Sequence, residues 1–233
     1  MSIATALRPF VDFALPPRCP GYGATVAAQH HFCAACWVTL EFATGRGCAL
    51  CNVPMPGFGA AECADCMAAA PRHDGARAAV AYGDIARHVV LQLKYGRRTG
   101  LAATMAGMLV RHIDGAGILV PVPLHRWRLW GRGFNQATSM AQALGRASGL
   151  QVATDLLTRK RPTGSMRGLS RERRAAAVRG VFRAQRRLAG ETIWLVDDVY
   201  TTGATINACA AALKRAGAGR VIVLVWARVL RED

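Results

Sequence analysis

Two groups of residues in this chain have the types and spacing to do chemistry, and they lie at opposite ends of it. Residues 193–205 read IWLVDDVYTTGAT, four apolar residues, then Asp197 and Asp198, then a turn rich in Thr and Gly. Gly203 and Ala204 allow a tight turn in which successive N–H groups converge on an anion. A helix expected to begin near Thr205 aims its positive end at the same point. Thr201, Thr202 and Thr205 add hydroxyl donors. That half of the stretch suits a phosphate monoester. The two acids would repel a phosphate, so they must face a cation or a group rich in donors such as sugar hydroxyls. Together the halves predict a ribose 5-phosphate, with Asp197 and Asp198 on the 2- and 3-hydroxyls and the loop on the 5-phosphate.

The second group is cysteine. Seven of the eight cysteines fall between Cys19 and Cys66, in the elements CPGY, CAAC, CALC and CADC, which begin 14, 15 and 15 residues apart. A C-x-x-C turn brings two thiolates to one ion, and two turns complete a tetrahedral zinc site. A segment this short buries too little apolar surface to fold alone, so metal would supply folding energy. Tyr22 stands where the first turn should carry its second thiolate. Two pairings stay open. Sequential pairing completes Cys48, Cys51, Cys63 and Cys66 and leaves Cys19, Cys33 and Cys36 one ligand short. Interleaved pairing completes Cys33, Cys36, Cys63 and Cys66 and leaves Cys19, Cys48 and Cys51 short. His30 or His31 could supply an imidazole to the short site. Cys209, alone in an Ala-rich helical run, reads as a buried apolar residue.

The elements that position these groups follow from periodicity. Strands are expected around residues 76–82, 118–123, 153–159, 178–184, 192–198 and 220–229. Helices are expected from Asp84, from Leu101, from Asn135 to a cap at Gly149, and from Thr205. Apolar strands alternating with helices predict an α/β fold with a largely parallel sheet and ligands beyond the strands' carboxyl ends. The Cys-rich part spans about residues 1–70 and the α/β part residues 75–233. The opening residues read as a short amphipathic helix stopped by Pro16 and Pro17, not as a signal peptide. No apolar run approaches the roughly 18 residues that span a bilayer. These features predict a cytoplasmic protein without membrane insertion, where thiols stay reduced. A hydrophobic content of 52% excludes a disordered chain, and a net charge of +16 favours polyanionic partners.

IWLVDDVYTTGAT resembles the PRPP (phosphoribosyl pyrophosphate) motif of type I phosphoribosyltransferases. LKYGRR (93–98), VPVPLHRWRLWGRGFNQA (120–137), RGLSRERR (167–174) and VRGVF (178–182) widen the likeness to the ComF family of competence and GntX-like proteins. The resemblance implies a double zinc ribbon before a type I phosphoribosyltransferase-like parallel sheet with helices on both faces. It also implies structural Zn2+, Mg2+ bound with PRPP, and pentosyl transfer with Asp197 and Asp198 as the catalytic carboxylates. Lys94, Arg97, Arg98, Arg126, Arg128 and Arg132 are candidates for the pyrophosphate. The Arg-rich segment 159–174 lies where such enzymes carry a lid.

Three functions follow from these features. One is a phosphoribosyltransferase of unknown acceptor, in DNA uptake or nucleotide-linked metabolism. The second is a single-stranded-DNA-binding accessory protein working with competence or DNA-processing proteins, its Arg-rich loops interleaved with Trp127, Trp130 and Phe134. The third is a sensor that binds PRPP without turnover and docks other proteins through its ribbon.

Overall fold

The apolar runs 193–196 and 221–227 lie side by side in neighbouring strands of a parallel sheet. The structure is a computed structural model and describes residues 16–43, 47–55, 62–96, 98–125, 129–131, 133–161 and 170–230. In chain order, helices α1 (Ala34–Val38) and α2 (Ala64–Ala68) belong to the Cys-rich part. They are followed by strand β1 (Gly75–Ala81), helices α3 (Asp84–Tyr95) and α4 (Leu101–Leu109), and strand β2 (Ile118–Pro121). Next come α5 (Gln136–Ser148), β3 (Gln151–Val152), β4 (Leu157–Arg159), α6 (Arg171–Ala177) and β5 (Phe182–Ala184). Strand β6 (Thr192–Tyr200), helix α7 (Ala204–Arg215) and strand β7 (Arg220–Arg228) complete the fold.

The sheet order is β1-β7-β6-β2-β3, with every pairing parallel, while β4 and β5 form a separate antiparallel pair. The α/β architecture expected from the alternation of strands and helices is therefore present. From β1 the chain crosses to β2 and moves outward to β3; from β6 it moves the other way to β7. The direction of winding reverses between β2 and β6, so the crevice at their carboxyl ends is the natural ligand position of such a sheet. Residues 201–205 leave β6 there, and residues 122–125 leave β2 beside them.

Strand periodicity divides the core. Ile193 and Leu195 with Val221, Val223 and Val225 face Ile206, Cys209 and Leu213 of α7. Trp194 and Val196 with Ile222, Leu224 and Trp226 face α3, α4 and α5 on the other side. Burial on both faces is why β6 and β7 read as nearly continuous apolar runs rather than alternating ones. Cys209 is fully buried in the first of these layers.

The Cys-rich part covers the edge strand. Ala81 N–H donates to Glu41 O at 2.7 Å, Ala43 N–H to Ala79 O at 3.1 Å, and Ala78 N–H to Asn52 Oδ1 at 2.7 Å. These bonds occupy groups of β1 that an open edge would offer to another chain.

Two elements differ from expectation. The two-residue β3 is too short to carry a periodic signal. Residues 171–177, placed in the lid on sequence grounds, form α6, capped by Ser170, whose Oγ accepts the Arg173 N–H at 3.3 Å. The remaining lid residues 162–169, the N-terminal helix expected over the first 15 residues, and Arg97, Arg126, Trp127, Arg128 and Arg132 lie outside the described residues.

Candidate functional site

The loop after β6 is built from a glycine that no other residue replaces cheaply. Gly203 has φ +75°, and a Cβ there would lie 2.5 Å from the Tyr200 hydroxyl. The left-handed turn reverses the chain directly into α7, whose N-terminus carries no side-chain cap. In α5, by contrast, Asn135 Oδ1 accepts the Ala137 N–H at 3.1 Å. The first N–H groups of α7 thus keep their capacity for an external acceptor. They face a cavity of about 470 Å³ whose lining includes Thr201, Thr202, Thr205, Asp197 and Arg174.

Three residues that sequence reasoning passed over hold this loop from beneath. His73 Nε2 and the Tyr200 hydroxyl are 3.1 Å apart, and burial holds the imidazole at about 4, so it is neutral at pH 7. The Arg228 guanidinium lies 4.3 Å from the Tyr200 ring centroid and donates to Thr201 O at 2.7 Å and Tyr200 O at 3.2 Å. The same side chain donates through Nε to Cys51 O at 3.0 Å. One arginine therefore ties the Cys-rich part to the anion loop. The parallel register that sets Tyr200 opposite Arg228 makes this contact; no local pattern announces it.

Asp197 and Asp198 diverge because β6 continues as strand through Tyr200, so neighbours point to opposite faces. Asp197 follows Ile193 and Leu195 onto the α7 face and lines the loop cavity. Burial, then the adjacent Asp198, push its carboxyl up to about 7. Asp198 follows Trp194 and Val196 onto the α3 face, where Lys94 Nζ lies 2.5 Å from its Oδ2. The structure thus brings Asp197 together with Thr201, Thr202, Gly203, Ala204 and Thr205. Lys94, a candidate for the pyrophosphate, pairs with Asp198. Of the other basic candidates, Arg98 is exposed just beyond α3. The cation that does line the cavity is Arg174, which the sequence offered only as one of six arginines in the lid segment.

The thiols resolve the pairing left open by spacing. Sulfurs of Cys48, Cys51, Cys63 and Cys66 gather within 4.8 Å of one another, and those of Cys19, Cys33 and Cys36 form a second group. The sequential arrangement is the one adopted. In the first group Cys51 and Cys63 Sγ are 3.6 Å apart and the Cys63 N–H donates to Cys48 Sγ at 3.3 Å. Tetrahedral zinc with Zn–S bonds near 2.3 Å separates its sulfurs by about 3.8 Å, so this group fits the ion. Burial alone would raise the Cys48 thiol, but the N–H groups of Cys51, Cys63 and Leu50 outweigh it and hold it at about 7. The anionic form that binds metal is thereby favoured. Neither histidine joins the three-thiol group: His30 Nδ1 is 3.0 Å from Thr104 Oγ1, and His31 is exposed.

Among the described residues, no helix is long and apolar enough to cross a membrane.

Known proteins resemble this chain in sequence. A family profile described as a double zinc ribbon domain matches residues 10–67. The DNA utilization protein YhgH of Salmonella typhi is 31% identical over 192 residues, 78% of this chain and 84% of that one. Its counterpart in Escherichia coli O157:H7 is 34% identical over 151 residues, 61% of this chain and 66% of that protein, just under two thirds of its length. Competence protein F of Haemophilus influenzae is 26% identical over 181 residues, 72% of this chain and 79% of that one. With the four-thiol knuckle, the parallel sheet and these relatives together, the chain belongs to the family of the DNA utilization protein YhgH and competence protein F.

Proposed function

We propose that the chain binds a phosphoribosyl ligand, PRPP with Mg2+, at residues 201–205 and acts as a phosphoribosyltransferase-like protein in DNA utilization. The observation that carries this reading is the uncapped N-terminus of α7 facing a cavity that Asp197 lines from the end of β6. The loop amides and threonine hydroxyls suit the 5-phosphate. Asp197 suits a ribose hydroxyl or, directly or through water, Mg2+, an ion that takes few carboxylates and keeps several waters. When bound, Mg2+ would neutralise charge on the departing pyrophosphate. Arg174, at the same cavity, is the cation placed to assist. Asp198 plays a different part: Lys94 holds it, so a sugar hydroxyl reaches Asp198 only by sharing or displacing that ammonium.

Isothermal titration with PRPP and Mg2+ tests the reading. Binding should weaken by at least about tenfold in Asp197→Asn, the cost of losing a hydrogen bond to a charged group. Absence of binding to the wild-type protein, or equal affinity of the variant, overturns it. A pyrophosphate-release screen with nucleobases and single-stranded DNA then separates a transferase from a PRPP sensor.

A second reading, a single-stranded-DNA-binding accessory protein, is favoured by a basic groove. A cavity of about 860 Å³ continues from the anion loop at Thr202 and Ala204 and is lined by Arg72, Arg179, Lys214 and Arg215. Asp74 neutralises Lys214, at 2.6 Å, which leaves three arginines along the groove. Trp130, proposed for base stacking, is 80% exposed. Nucleic-acid affinity falling steeply with salt supports this reading, and affinity insensitive to ionic strength contradicts it.

A further inference from the structure

The three-thiol group departs from the double ribbon in a way that changes its metal chemistry. Cys19 and Cys36 are fully buried, and Cys19 Sγ accepts the N–H groups of Cys33 at 3.3 Å and Gly21 at 3.4 Å. The four-thiol group repeats that construction, with the Cys63 N–H on Cys48 Sγ. The turn is also wrapped as tightly as a metal knuckle requires: a Cβ on Gly21 would lie 2.5 Å from Cys36 Sγ. Only the fourth ligand differs. Tyr22 occupies the position that corresponds to Cys51, and its side chain is 70% exposed. His30 is turned to Thr104, and among the described residues no other His, Cys, Asp or Glu joins the group. All three thiols are free of disulfides.

We infer that Cys19, Cys33 and Cys36 form a three-thiolate zinc site whose fourth position belongs to water or another small exogenous ligand. Zinc held by three protein ligands and an exchangeable fourth is the open arrangement, whereas four thiolates close the ion off. An incoming chelator can attack the open ion without first displacing a protein ligand. The two metals of one chain should therefore exchange at very different rates. This inference is independent of the phosphoribosyl reading.

The full-length chain, saturated with zinc and freed of excess, is challenged with a coloured chelator. Two ions per chain are expected, one for each thiol group, with one released at least about tenfold faster than the other. Tyr22→Cys should slow the fast phase to the rate of the other site. Cys36→Ser should abolish the fast phase and keep the slow one, a readout that survives if Tyr22→Cys does not fold. Cobalt substitution should give an absorption spectrum of mixed thiolate and oxygen ligation in the wild type that becomes uniform four-thiolate in Tyr22→Cys. A single zinc with three thiols open to titration in the native protein overturns the inference. So do two zincs leaving at one rate, or a fast phase that persists in Cys36→Ser.

Discussion

The two cysteine knuckles repeat one construction, yet they meet the sheet on opposite faces and carry different burdens. Cys48, Cys51 and Cys66 join the α7 layer of the core, whereas Cys19 and Cys36 join the layer of α3, α4 and α5. The knuckle on the α7 face has four thiols, and through Cys51 O and Arg228 it reaches the backbone of the anion loop. The other has three thiols and rests on Ile85 near the start of α3. Complete ligation thus coincides with the side of the ribbon that supports the candidate site. The difference teaches that a metal knuckle can serve as a foundation for a distant loop while its near copy serves chiefly as an edge cover.

The largest predicted effect breaks this comparison directly. Cys63→Ser should cost several kcal/mol of stability, on the order expected when a structural zinc site opens, and should weaken PRPP binding. Cys33→Ser should cost less and leave PRPP affinity near the wild-type value. Thermal unfolding and titration of both variants check it; equal losses would remove the asymmetry. Next in size is Gly203→Ala. A left-handed residue with a Cβ costs about 1–2 kcal/mol, and contact with the Tyr200 hydroxyl adds to that. Titration should therefore show PRPP affinity falling while zinc content stays unchanged. A smaller effect is expected of Arg228→Lys, which keeps the charge and loses the fork that reaches Cys51 O and Thr201 O together. Zinc release from the four-thiol knuckle should accelerate and PRPP affinity fall by a few-fold in the same variant. An effect on one without the other would show that Arg228 does not connect them.

Much of this was legible in the residues. Continuous apolar runs and 3.6-residue periodicity are local signals, so the strands around Asp197, the helix from Asp84 and the Gly149 cap could be read directly. The composition of residues 201–205 likewise announced an anion turn. What could not be read depends on register and three-dimensional proximity. The placement of Arg228 opposite Tyr200, the burial of His73 beneath them and the pairing of Lys94 with Asp198 join residues 28 to 127 positions apart. The cysteine pairing is of the same kind: spacing allows both arrangements, and only packing of the knuckles on opposite sheet faces selects one. The divergence of the two aspartates could have been foreseen, since a strand that runs on through Tyr200 must alternate them. Reading the acids as a pair left out the alternation that the strand expected over residues 192–198, which includes both, already imposes on them.

Asp197 gives the most direct test of the central claim, that its carboxylate and the amides of α7 share one ligand. Its folded value, about 7, lies above that of an ordinary carboxyl, so its contribution to stability is present at low pH and lost as pH rises through 7. A ligand that engages the charged carboxylate follows the opposite trend. The measurement is the affinity for PRPP with Mg2+ between pH 5.5 and 8.5, in the wild-type protein and in Asp197→Asn, so that titration of the ligand's own phosphates cancels. The wild-type protein should gain affinity relative to the variant as pH rises through about 7, and the two curves should converge at low pH. Parallel curves across the whole range would contradict the account.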